Sequence, residues 1–323
     1  MKAFVIATLL LSQLKIIAQT KDSTAIVTRK IINDKFPSTR TFDLQYEQLG
    51  ATKNTTRVFG EAFDKRTIED HFRLKFASNI VLYRSASKKF FVTNSFRYKY
   101  ESFGLNGSDD PNGIYTSAET DFHYFAEAVS LTYFSSLFKK PVVYNATATV
   151  DADQHNFQRV KGMASAVIVL KKTPKTTFTL GLLVMVDPSS IIPIAPIATY
   201  EYQFSNSKWK LDIVLPKQVL IRRPLLENGR LSLGTELTSE NFYLALDNAS
   251  FKGFYELNQL ELHSGILYEY CLGNGFNATF KTGIAHVLNS RITERGKKTS
   301  DYVIKNRQEA QFYFNIGLSY NPF

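Results

Sequence analysis

The chain has 323 residues, a formal net charge of +10, one cysteine, and 44% hydrophobic residues. A lone cysteine excludes an intramolecular disulfide framework and any cysteine-based metal cluster. Beyond the amino-terminal leader no stretch approaches the roughly 18 consecutive apolar residues of a spanning helix, and the 26 Phe and 17 Tyr are spread in alternation, which points to strands.

Residues 1–18 carry a basic Lys2, an apolar run over 3–11 and a small Ala18 before Gln19, the pattern of a cleavable secretory signal peptide. Its removal takes Lys2 and Lys15 and leaves a charge of about +8. Residues 19–40 are polar and read as a periplasmic lead-in. The first strand is expected at 41–50, with Phe42, Leu44 and Tyr46 alternating against Asp43, Gln45 and Glu47, followed by a polar loop over 51–66. Strand two, 69–83, sets Phe72, Leu74, Phe76, Ile80 and Leu82 against Arg73, Lys75 and Asn79. After a short turn, strand three (89–104) turns Arg97, Lys99 and Glu101 to the same side as Arg73 and Lys75. A long loop, 105–118, comes next. Short connections at one end and long ones at the other are the signature of an outer-membrane barrel, whose apolar face meets lipid and whose polar face meets the lumen.

Strand four, 119–135, begins with Phe122, Tyr124 and Ala126 on one face and ends with Val129, Leu131 and Tyr133 on the other. A bulge near Ala128 is expected to make this switch, with Glu127 facing the lumen. Strands five to seven cover 141–153, 160–172 and 175–187. The loop at 187–195 is apolar; Ile191, Ile192 and Ile194 are read as packing inside the barrel, or else as a lid or an apolar mouth for a hydrophobic solute. Strands eight to ten lie within 196–224, with Pro216 at a strand end. Glu227-Asn228-Gly229 turns into strand eleven (230–246), which contains Glu236. Strand twelve (256–270) points Gln259, Glu261, His263 and Glu269 inward, and strand thirteen (276–288) does so with Asn277, Thr279 and Lys281. A basic loop (289–307) leads to the last strand, 308–323. Fourteen strands return the chain to the side on which it started, as an all-β, antiparallel, up-and-down transmembrane barrel over 41–323. Twelve is the alternative if strands nine and ten are not both full spans.

The run from Pro196 to Pro216, with Tyr200-Glu201-Tyr202, Phe204, Trp209-Lys210-Leu211 and Leu215-Pro216, and the ending Gly317-Leu318-Ser319-Tyr320-Asn321-Pro322-Phe323, carry a resemblance. The chain resembles an outer-membrane β-barrel family of Gram-negative bacteria known as a domain of unknown function. The resemblance implies outer-membrane lipids as surroundings and insertion by the barrel-assembly machinery. That machinery reads the last strand through Phe314, Ile316, Leu318, Tyr320 and the terminal Phe323. The sequence departs from that signal in one respect: the apolar series is on even positions, whereas Phe323 is odd and follows Pro322. The resemblance implies no catalytic, cofactor or metal residues.

The five histidines, His71, His123, His155, His263 and His286, lack metal-ligand spacing, and no GxSxG elbow is present. An enzyme and a nucleic-acid partner are not expected. The charges that alternation turns inward are Arg73, Lys75, Arg97, Lys99, Glu101, Glu127, Glu236, Glu261 and Lys281. They support two readings: a basic lumen that favours anionic solutes, or charges that pair with one another and fill a narrow barrel. The corresponding functions are a channel for small solutes and a structural or surface-interaction barrel without transport.

Overall fold

The alternation resolves into strand segments that pair in one continuous sheet. In the computed structural model, which describes residues 39–106, 121–247 and 251–322, these are β1 (Phe42–Leu49), β2 (Thr52–Val58), β3 (Glu61–Arg84), β4 (Phe90–Asn106), β5 (Asp121–Leu137), β6 (Lys140–Ala152), β7 (Phe157–Lys172) and β8 (Thr176–Val186). They continue as β9 (Ile194–Gln203), β10 (Lys210–Leu215), β11 (Gln218–Leu225), β12 (Gly229–Asp247), β13 (Lys252–Gly273), β14 (Phe276–Glu294), β15 (Ile304–Gln308) and β16 (Gln311–Tyr320). The signal peptide, nearly all of the lead-in, most of the 105–118 loop and Phe323 lie outside the described residues.

β1 closes the ring, because Phe42 stands opposite both Tyr320 of β16 and Ser78 of β3. β2 prolongs β1 past Gly50 and pairs with β3 and β15, and β15 in turn runs into β16. Counting β1 with β2 and β15 with β16 as single spans gives a closed antiparallel barrel of fourteen strands. Both β10 and β11 belong to it, so the twelve-strand alternative falls away. We call the end at Phe42 and Tyr320 the base and the opposite end the rim. On β16, Gln311, Tyr313, Asn315 and Ser319 are buried toward the lumen, while Phe312, Ile316 and Leu318 are exposed outside. Leu44, Leu131, Leu182 and Phe280 continue this exposed apolar band around the wall, the arrangement that a lipid surround requires.

Three expectations are corrected. The segments 51–66 and 289–307, expected as loops, are largely strand: β2, the first turn of β3, the end of β14 and β15 extend the wall at the rim. Beyond the apolar band the outer face turns polar and the remaining apolar residues, Val58, Phe63, Ile292 and Ile304, pack into the rim core, so the outward hydrophobic period is lost while backbone pairing continues. No bulge occurs at Ala128, since β5 pairs in unbroken register with β4 and β6. Phe122 and Ala126 are instead buried inside, and Glu127 stands on the outer face opposite Phe96, exposed and hydrogen-bonded to Asn94.

The wall is uneven in height. β3 has 24 residues and β13 has 22, against 6 in β10 and 8 in β11. At about 3.3 Å per residue the low side is roughly a quarter of the high side. Above the low side the wall turns inward. Gly234, Gly265 and Gly283 stand in one row across β12, β13 and β14. A Cβ on Gly265 would lie 2.1 Å from the Thr282 carbonyl oxygen, one on Gly283 2.0 Å from that of Ser264, and Gly234 has φ +149°. A glycine row of this kind lets a sheet coil more tightly than side chains would allow. β12 makes its last bond to the β11 side through the Leu237 N–H, donated to the Lys217 carbonyl at 2.7 Å. It then crosses to β5, where Phe242 meets Phe122 (ring centroids 6.0 Å apart) and Tyr243 stacks on Tyr124 (6.3 Å). An apolar core of Phe122, Phe242, Leu244, Phe251, Tyr255 and Ile304 fills the rim half behind this contact.

Candidate functional site

The lumen holds the chemistry, and it divides into three zones. At mid-height lies a buried ionic cluster. Arg73 of β3 sits between Glu261 of β13 (Nη2–Oε1 2.6 Å), Glu47 of β1 (3.2 Å) and Glu101 of β4 (3.1 Å). Its guanidinium also donates from Nη1 to Glu261 Oε2 at 2.9 Å, so that pair is two-pronged. Lys75 donates to Glu240 of β12 at 2.7 Å, and Lys99 donates to the other oxygen of the same carboxylate at 2.9 Å. His71 lies 2.5 Å from Glu101 and His263 2.7 Å from Glu261. Lys99 also rests over the rings of Tyr124 and Phe242 at 4.8 and 4.6 Å. Burying so many charges is tolerable only because each has a partner. Their source is geometric: the inward face of β1, β3 and β4 supplies the cations with Glu47 and Glu101, and the in-turned β12 and β13 bring Glu240 and Glu261 across to them.

A second cluster ties the rim of β6–β8 to the same inward segment. Glu256 of β13, wholly buried, pairs with Arg159 at 2.6 Å and Lys161 at 3.4 Å. Lys161 also reaches Asp151 at 2.6 Å, Arg159 reaches Asp187 at 2.9 Å, and the Tyr243 hydroxyl donates to Asp151 at 3.2 Å. The loop at 187–193 enters here through its polar residues. Ser189 is fully buried against Glu256, Arg159 and Thr299. Its isoleucines differ: Ile192 and Ile194 are exposed and Ile191 is half-buried, which corrects the expectation that the three pack inside. The serine hydroxyl and backbone satisfy buried charges that an isoleucine could not.

Toward the base the fourteen strands enclose a polar cup. Ser130 with Thr147 (2.8 Å), Thr179 with Thr199 (2.7 Å), and Lys210 with Glu201 (2.6 Å) line it, the last pair remaining about 40% exposed. No group of three or more His, Cys, Asp or Glu suited to a metal occurs among the described residues. A shallow apolar concavity between Tyr144 and Leu182, floored by Ala146, Ala164 and Ala166, lies on the outer face of the wall and is separate from the cup.

A family match covers residues 122–321, under the description domain of unknown function DUF6268. This chain belongs to the DUF6268 family. The matched span contains the run from Pro196 to Pro216 and most of the carboxy-terminal strand on which the resemblance rests. No curated protein sequence matches the chain. Among solved structures it is similar to the COG4313 outer membrane channel from Pseudomonas putida F1 (12% identity, 88% of this chain and 97% of that one, TM-score 0.38). It is also similar to a FadL homologue of Pseudomonas aeruginosa (9%, 90% and 92%, 0.38) and to the transport unit of the autotransporter AIDA-I from Escherichia coli (10%, 92% and 97%, 0.33). These likenesses extend to the barrel and no further.

Of the nine inward charges expected in this DUF6268 chain, Arg73, Lys75, Lys99, Glu101 and Glu261 meet in the mid-height cluster. Glu236 and Lys281 pair separately at 2.5 Å. Arg97 is exposed and makes no ion pair among the described residues, and Glu127 is outside. Of the last-strand residues, Ile316 and Leu318 are on the exposed outer face, Phe314 is half-buried beside Tyr46, and Tyr320 stacks between Phe42 and Phe276. Sequence reasoning did not select Glu47, His71, Glu240, His263, Arg159 or Glu256 as site residues. Alternation placed Glu47 and His263 inward, but nothing local in the sequence says that two walls of the barrel approach each other.

Proposed function

We propose that this DUF6268 protein works in the bacterial outer membrane, its base toward the periplasm, as a passage for small solutes that is closed to free aqueous diffusion. The supporting observation is the contrast along the lumen: a partly exposed polar cup at the base, and a rim half occupied by an apolar core and two networks of paired charges. A general pore needs a continuous wet path, whereas the mid-height cluster spans the lumen from β3 and β4 to β12 and β13. Outer-membrane lipids surround the apolar band, and the barrel-assembly machinery inserts the chain through its last strand. No reaction is assigned to it.

The test is flux of a graded panel of solutes, from sugars to small amphipathic compounds, into vesicles with a lipopolysaccharide outer leaflet that carry the purified protein. The expected result is no sugar flux, and flux of at least one less polar solute above that of protein-free vesicles. Rapid sugar flux would make the protein an open pore. No flux of any solute would leave the structural, surface-interaction reading in its place.

A further inference from the structure

On the low side of the wall two strand edges have no ladder partner among the described residues. β10 ends at Leu215, opposite Ala198 of β9, yet β9 continues to Ile194, held on its other side by Val184 of β8. Four residues of β9 therefore rise above the neighbouring hairpin, a step of about 13 Å along the strand. Across the gap, β12 parts from β11 after Glu236 and Leu237 and continues to Asp247 with only β13 as a ladder partner among the described residues. The turn at Pro216 and Lys217 is the floor.

This notch lies within the lipid-facing band. Ile194 is 61% exposed and Leu215 46% exposed, and both continue the outer apolar face of β8 and β9. Pro196, on the open edge of β9, has no N–H to leave unpaired in an apolar surround. Behind the notch Ser239 of β12 is exposed and Leu237 half-buried. The facing inner surface of β7–β9 carries the half-buried Met163 and Leu183 before the lining becomes polar at Thr179 and Thr199.

We propose that the notch between β9 and β12 is a lateral doorway from the bilayer into the cup, and that its ligand is a small amphipathic molecule with an aliphatic body and a polar head. The apolar lip accepts the body, and the hydroxyls and the Glu201–Lys210 pair below accept the head. Among the described residues the rim half is filled by its apolar core and by the two ionic clusters, so the notch is the more open route. The proposal rests on the reading of the cup as a solute passage and adds the solute class and the route.

The test uses the full chain with its single tryptophan removed (Trp209→Phe) and one tryptophan placed at Ser239, in vesicles of phospholipid brominated on the acyl chains. Ser239→Trp emission is expected to be quenched to the extent of a Leu318→Trp control on the outer face, while a Thr132→Trp control in the cup is not. Emission from Ser239→Trp that matches the Thr132→Trp control would overturn the doorway. In a Cys271→Ala background, Pro196→Cys and Ser239→Cys joined by a short bis-maleimide should abolish the amphipathic flux. Flux that persists after joining overturns the doorway and leaves solute passage standing. Absence of flux before joining defeats the passage reading instead, and the quenching comparison then still decides whether acyl chains occupy the notch.

Discussion

Arg73 is the residue on which the mid-height cluster turns, since it joins β3 to carboxylates on β1, β4 and β13. Removing one member of a buried pair leaves the other charged and unpaired, a loss of about 3–5 kcal/mol. Arg73→Met is expected to lower stability by that order in equilibrium urea unfolding of the lipid-reconstituted barrel. Arg73→Lys should recover only part, because a point ammonium cannot make the two-pronged contact with Glu261. A loss below about 1 kcal/mol, the range of solvent-exposed pairs, would mean that water reaches the cluster. The inward face of Arg73, Lys75, Lys99, Glu101 and Glu261 was legible because four of them sit between outward apolar residues and Glu101 follows outward Tyr100 in the same alternation. Their pairing was not, because Glu240 and Glu261 are remote in sequence and meet the cations only through a bend in the wall. Glu127 shows the converse error. Apolar Phe122 and Ala126 face inward, so an assumption that apolar means outward shifted the phase of β5 in its upper half.

At the scale of the strands, the glycine row explains how the wall bends. A side chain at Gly265 or Gly283 would press on the backbone of the neighbouring strand, which has no flexible end to move aside. Gly265→Val is expected to cost about 1–3 kcal/mol as an overpacked site. It should also expose the mid-height cluster, seen as faster hydrogen exchange over residues 237–246 than in the wild type. Unchanged exchange there would show that the inward course of β12 does not depend on the row. Strand existence was legible wherever one face meets lipid, so that β1, β4, β13 and β16 lie close to their expected positions, as do the base ends of β3 and β14. It was not legible in β2 and β15, which carry one apolar residue each, Val58 and Ile304, too few to show a period. Nor could the sequence distinguish which part of the loop at 187–193 enters the barrel, because the deciding partners, Glu256 and Thr299, come from strands far along the chain.

For the whole molecule, fourteen strands close the ring at the base, and at the rim β12 against β5 divides the interior into a packed half and an open flank. That division is what the proposed function rests on: on that reading the packed half would refuse an aqueous pore, and the flank would leave the cup in reach of the bilayer through the low wall at β10 and β11. The strand number and the even return of the chain could be counted from hydrophobic period and turn chemistry. The division could not, since it is made by contacts between strands that are not neighbours. The most direct measurement is cross-linking of β12 to β5 in membranes. Tyr124→Cys and Tyr243→Cys, in a Cys271→Ala background, replace two rings that stack across the lumen, and Ser130→Cys with Thr147→Cys serves as a control on adjacent strands. Both pairs are expected to join with a short bifunctional thiol reagent and to shift mobility on a denaturing gel. Joining of the control pair alone would contradict the division of the lumen.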